Sequence, residues 1–167
     1  MKSAAKSAGA FARSDHDHDH CVDAALGRAE ALCRAQDARL THLRREVLEL
    51  IWRGHEPVGA YALLEALRHA HPHAAPPTIY RALEFLGAHG LIHRIESLNA
   101  YIGCDHPERP HKSQFLICAR CSNAAEVDDP GVARALSRSA RELGFAVTRQ
   151  TVELRGLCPA CRRVAQG

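Results

Sequence analysis

Two cysteine pairs carry the strongest chemical signal in the chain: Cys118-Ala-Arg-Cys121 and Cys158-Pro-Ala-Cys161. A CxxC turn brings two thiolates onto one ion, and two such turns complete the tetrahedron that Zn²⁺ prefers. The 36 residues between the pairs exceed a simple zinc-ribbon spacing. A helix and a strand must therefore fold between them and return the chain to the first pair. Zinc closed by four thiolates has no open position, so this site is expected to be structural. Redox-active pairs are the weaker reading, because neither CxxC leads from a strand into a helix as in a thioredoxin-like βαβ unit.

A second set of donors gathers around a proline-punctuated stretch, "CDHPERPHK": His93, Cys104, His106, His111 and Glu126. A mixed Cys/His/His/Glu site offers one soft anionic sulfur. It should hold zinc less tightly than four thiolates and fill over a higher range of free zinc. That separation suits one permanent site and one responsive site. Taken one at a time, each of these residues is an ordinary surface side chain. The densest run of ligands, "SDHDHDHC" from Ser14 to Cys21, has no apolar period to fold it. It reads as a solvated arm that binds metal weakly in many geometries.

These donors must be positioned by a chain of 167 residues, enough for one ordinary domain or two small ones. With 46% apolar and 25% charged residues the composition is that of a soluble globular protein. The net charge of +3 permits an acidic partner without demanding one. No apolar run approaches the roughly 18–20 residues of a membrane helix. The N-terminus lacks the apolar core of a secretory signal, and seven cysteines, an odd number, suit a reducing compartment. The chain reads as cytoplasmic.

Apolar residues at helical spacing mark four helices in the first half. Val22, Ala25, Leu26, Ala29, Leu32 and Cys33 form one stripe, with Cys33 a small core residue. "LTHLRREVLELIWRG" starts at a Thr41 cap and stops near Gly54. "GAYALLEALRHAHP" is ended by Pro72, and "PPTIYRALEFLGAHG" is opened by Pro77 and closed by Gly90. "LIHRIES" and "NAYIGC" then read as strands around Ser97-Leu98-Asn99. Three helices and a hairpin give the order of a winged helix-turn-helix. In the second half "SQFLIC" and "AAEVD" flank the first CxxC as strands. "PGVARALSRSARELG" is an amphipathic helix with Val132, Leu136 and Leu143 inside, and "FAVTRQTVELRG" alternates as a strand. The expected architecture is α+β: a disordered tail over residues 1–20, a winged-helix DNA-binding domain over 21–103, a metal-binding hinge over 104–112, and a small α/β dimerisation domain over 113–167.

The fourth helix carries Tyr80 and Arg81 near its start. An arginine there can reach guanine O6 and N7 in the major groove, and Tyr61 on the preceding helix can reach a phosphate or base edge. Thr78 is counted with them. From Thr41 to Ser97 six arginines balance six glutamates, so binding must rest on placement and symmetry rather than on a basic field.

"RLTHLRREVLELI", "PPTIYRALEFLGAHGLIHRIES", "NAYIGC", "FLICARC" and "GFAVTRQTVELRGLCPAC" together resemble the ferric uptake regulator superfamily, and within it the zinc uptake regulators. The likeness covers about residues 22 to 163. It implies a homodimer that binds palindromic operators in double-stranded DNA when metal-loaded and represses metal-uptake genes. It implies two Zn²⁺ per subunit. Cys118, Cys121, Cys158 and Cys161 would hold the structural ion, and His93, Cys104, His111 and Glu126 the regulatory one, with ligands from both domains. It also implies DNA contacts at Tyr61 and Arg81, with Tyr80 nearby. The His-His-x-His run of the iron and peroxide branches is reduced here to one histidine in "RPHKSQFLIC", which favours zinc over iron or peroxide sensing. Ser122 replaces the usual glycine after the first CxxC, "LTHLR" replaces the commoner "LTPQR", and His106 could replace or supplement His111. Two other classes are weaker. A zinc deaminase would need a Pro before the first cysteine and an open zinc position, and a metal storage or delivery protein would leave the winged helix unexplained.

Overall fold

The computed structural model describes residue 11, residues 18–54 and residues 56–165. Most of the expected tail, residues 1–10 and 12–17, lies outside the described residues. Helix α1 (His18–Ala35) already begins at His18, so His18, Asp19 and His20 are helical rather than part of the tail. The chain divides into two compact units, one ending at Arg109 and the other including Pro110–Gly167.

In the first unit, α1 is followed by α2 (His42–Trp52), α3 (Ala60–Arg68) and α4 (Pro76–Ala88). Thr41 caps α2 by accepting from the Arg44 N–H at 3.4 Å. Pro76 and Pro77 occupy the first turn of α4, where their missing N–H groups cost nothing. Gly90, at φ +69°, takes the left-handed position that ends α4, and the Leu91 N–H returns to Leu86 O. The apolar stripes of the four helices meet in one core that includes Leu26, Val47, Leu48, Ile51, Leu63, Leu67, Ile79, Leu83 and Leu86. Cys33 is 2% exposed within it, and burial pushes its thiol pKa up. Arg44 on α2 lies 3.6 Å from the centre of the Phe85 ring on α4, a cation–π contact between the two helices.

The wing consists of β2 (Ile92–Ile95) and β3 (Ala100–Gly103), paired antiparallel with His93 opposite Ile102. A single 3-10 turn, Glu96–Leu98, and Asn99 at φ +48° join them. A third strand, β1 (Val58–Gly59), pairs with β3 to give the order β1-β3-β2. It was not expected, because two residues are too few to show alternation. Helix α3 stops at Arg68, short of Pro72, since the chain already turns through residues 69–75.

The second unit is a three-stranded sheet in the order β5-β4-β6. Strand β4 (Gln114–Cys118) runs antiparallel to β5 (Ala124–Val127) and parallel to β6 (Val152–Gly156). A parallel pair needs a crossover, which α5 (Pro130–Glu142) supplies, capped by Asp129 accepting from the Gly131 N–H at 2.7 Å. Helix α6 (Pro159–Ala165) ends the described chain. Two expectations need correction. Only residues 152–156 of "FAVTRQTVELRG" form a strand. Val132, Leu136 and Leu143 are not inside but 37%, 45% and 85% exposed, because none of the described residues covers that face of α5.

The close approach of Trp52 to Gly103 ties α2 to the end of the wing. A Cβ at Gly103 would overlap the indole ring. Gly103→Ala is therefore expected to destabilise the winged-helix unit by about 1–3 kcal/mol. The readout is the denaturant midpoint followed by fluorescence of Trp52, the sole tryptophan; an unchanged midpoint would mean that the indole moves away at no cost.

Candidate metal centres and nucleic-acid interface

The parallel pairing of β4 with β6 sets Cys118 opposite Gly156. Each strand ends at that point in a CxxC turn, so the two turns lie side by side at one end of the sheet. The Ala119 N–H donates to Gly156 O at 2.7 Å and stitches them together. Cys118, Cys121, Cys158 and Cys161 each offer a sulfur within 4.8 Å of all the others. Cys121 Sγ and Cys158 Sγ are 3.9 Å apart, close to the tetrahedral edge of about 3.8 Å that a Zn–S bond of 2.3 Å requires.

Backbone N–H groups point at these sulfurs: that of Cys158 at Cys118 Sγ and that of Cys161 at Cys158 Sγ, both at 3.4 Å. The Cys158 N–H is the main cause that brings the Cys118 thiol down to about 6, while burial first, and the neighbouring sulfurs next, push Cys161 up to about 12. Four sulfurs this close cannot all ionise on their own. A divalent cation resolves the conflict, and the donor set fits Zn²⁺. Ser122 sits at φ +59° with its N–H on Cys118 O at 3.0 Å. The left-handed turn explains why glycine suits this position, and a serine there costs about 1–2 kcal/mol.

The mixed donors fall in pairs within each unit. In the first, His93 lies on β2 and Cys104 just after β3. The Cys104 N–H donates to Leu91 O at 3.0 Å, and the two ligand atoms are within 4.8 Å of each other. Cys104 is 1% exposed. In the second unit, His111 Nε2 and Glu126 Oε1 are 2.6 Å apart, and the Ser113 hydroxyl donates to the same oxygen at 2.5 Å. Ser113 was not foreseen: a lone serine beside a linker carries no metal signature, and only pairing of β4 with β5 shows that it orients Glu126. His106 faces Glu108 at 3.3 Å with its side chain 53% exposed, so it is His111 that accompanies Glu126.

Tyr61 stands on the outer face of α3 and Tyr80 on α4, 71% and 46% exposed, and Arg81 is exposed beside Tyr80. Thr78 is half-buried, with its hydroxyl accepting from the Ala75 N–H at 3.5 Å, and so closes the first turn of α4. A further group of His42, Glu46 and His71 offers ligand atoms within 4.8 Å of one another; the two histidines are 29 residues apart, so spacing gave no sign of it.

Residues 35–155 match the profile of the Ferric uptake regulator family. The chain is 41% identical over 140 residues to the Zinc uptake regulation protein of Escherichia coli strain K12, spanning 83% of this chain and 82% of that protein. Among solved structures it is similar to a zinc uptake regulator complexed with zinc and DNA, with a TM-score of 0.84 and 39% identity over 87% of this chain and 98% of that one. It is also similar to holo XcZur, with a TM-score of 0.78 and 42% identity over 84% of this chain and 99% of that one.

Replacing one sulfur tests the tetrathiolate. Cys158→Ser is expected to lower the zinc retained after dialysis by one ion per chain and to lower the melting temperature of the second unit. Elemental analysis and calorimetry check it; full zinc retention would show that the four sulfurs do not share an ion.

Proposed function

The chain belongs to the ferric uptake regulator family, and on that basis we propose that it is a cytoplasmic, zinc-responsive, DNA-binding repressor of zinc-uptake genes. The observation that carries the zinc reading is the pairing of a four-sulfur cluster with a second, softer-to-harder set of donors. We assign two Zn²⁺ per subunit. Cys118, Cys121, Cys158 and Cys161 hold the structural ion. His93 and Cys104 from the first unit, with His111 and Glu126 from the second, hold the regulatory ion, which is formally neutral once loaded with one thiolate and one carboxylate. Each half of this set is already gathered within its own unit, which supports the assignment. Zinc held by both halves would stabilise the arrangement of the two units that brings them together.

The DNA-reading assignment is Arg81 and Tyr80 on α4, with Tyr61 on α3 and Thr78 at the helix start. The exposure of Arg81, Tyr80 and Tyr61 on the helix-turn-helix supports it. Homodimerisation is supported by the second unit, where Val132, Leu136, Leu143, Phe145, Val147 and Leu154 are large apolar side chains left exposed by one chain. A two-fold dimer sets two recognition helices on a palindromic operator. Among the described residues no helix is long and apolar enough to cross a membrane.

Two substitutions separate sensing from reading. Cys104→Ser is expected to abolish zinc-dependent operator binding yet leave a folded dimer that keeps its tetrathiolate zinc; unfolding instead would reverse the structural and regulatory assignments. Arg81→Ala is expected to weaken operator binding by about 1–3 kcal/mol with zinc content unchanged, measured by titration of labelled operator. Equal affinity would remove Arg81 from base reading.

A further inference from the structure

The first unit holds a donor cluster that neither zinc assignment uses. His42 is the first residue of α2, directly after the Thr41 cap, and Glu46 lies one turn further along the same face. His71 comes from the turn between α3 and α4. His71 Nε2 is 2.5 Å from Glu46 Oε2, and His42 Nδ1 is 3.5 Å from that same oxygen. Two imidazoles thus converge on one carboxylate oxygen.

The backbone that presents His71 is fixed on both sides. Its N–H donates to Leu67 O at 2.9 Å, its carbonyl accepts from Ala74 N at 2.9 Å, and Arg68 Nε donates to Ala74 O at 3.0 Å. Glu46 is rooted in α2 directly before Val47 and Leu48, both buried in the core. Only His42, with its side chain 82% exposed, is free to adjust. Zinc bonds of about 2.0–2.1 Å to nitrogen and oxygen set a tetrahedral edge near 3.4 Å. The His42–Glu46 separation already matches it, and the His71–Glu46 contact must open by about 1 Å, which a side-chain torsion provides.

We propose that His42, Glu46 and His71 form a third divalent-metal site, of two imidazoles and one carboxylate, that takes zinc when it exceeds what the two tighter sets hold. The donors are borderline nitrogens and a hard oxygen with no thiolate, so the site is weaker than the tetrathiolate. The exposed His42 leaves the fourth position to water, so the ion exchanges. Its three ligands join the start of α2 to the turn that enters α4, so a bound ion clamps the helix-turn-helix from within one unit.

The test uses the full-length protein dialysed against zinc buffered in the micromolar range, with bound zinc counted by elemental analysis. All other donors, the histidine-rich N-terminus included, are common to every variant, so differences in count are the readout. His42→Ala and His71→Ala are each expected to hold one zinc fewer than the unaltered chain, and His73→Ala, which removes an exposed neighbour outside the cluster, to keep the full count. Glu46→Gln keeps the shape of the cluster and is expected to weaken this last equivalent by at least about tenfold. Raising free zinc from nanomolar to micromolar should also raise the melting temperature of the unaltered protein more than that of His71→Ala. Equal zinc counts in the unaltered protein and His71→Ala would overturn the proposal and leave a plain histidine–carboxylate hydrogen bond. So would loss of the same equivalent in His73→Ala.

Discussion

Four sulfurs drawn to one end of a parallel strand pair are the constraint on which the second unit depends. Among the described residues its buried apolar side chains are few: Phe115, Ile117, Ala124 and Ala125, besides Cys118 and Cys158. A core that small cannot offset the entropy of ordering this segment. The sheet register and the crossover through α5 make sense as a frame that delivers two CxxC turns to the same place. A tetrathiolate ion, as proposed, would cross-link the ends of β4 and β6 and make metal binding part of folding. The apolar face that remains open on α5 and beyond is the complementary half of the same economy: it awaits a second copy.

The contrast between the donor sets explains how one metal can serve two purposes. Four thiolates, two of them with backbone N–H groups aimed at them, would form a closed site with no position for exchange. The proposed regulatory set has one thiolate, two imidazoles and a carboxylate that Ser113 orients. On that proposal its donors come from both units, so its affinity would include any cost of orienting one unit against the other. The proposed third set, His42, Glu46 and His71, has no thiolate and would be the weakest of the three.

Much of this was legible in the sequence because it rests on local chemistry. The Thr41 cap, the prolines opening α4, Gly90 at its end and the paired CxxC turns each declare themselves within a few residues. What escaped depends on residues far apart in the chain. Strand β1 exists only through its partner β3. Ser113 gains meaning only when β4 and β5 pair. His42 stood out merely as a departure from a commoner proline, since nothing local shows that the turn after α3 brings His71 to it. The apolar period of α5 was read correctly as a stripe. The assumption that a stripe must be buried within its own chain failed, because Val132, Leu136 and Leu143 face outward.

On the proposed function, zinc switches the protein onto DNA by filling a second and weaker set of ligands. The most direct measurement is the affinity of the unaltered protein for a palindromic operator across buffered free zinc, with iron(II) and manganese(II) in parallel. The account predicts that zinc alone drives a steep gain in affinity, coincident with uptake of the second equivalent per chain. Operator binding that stays constant from picomolar to nanomolar free zinc, or that responds equally to iron(II), would contradict it.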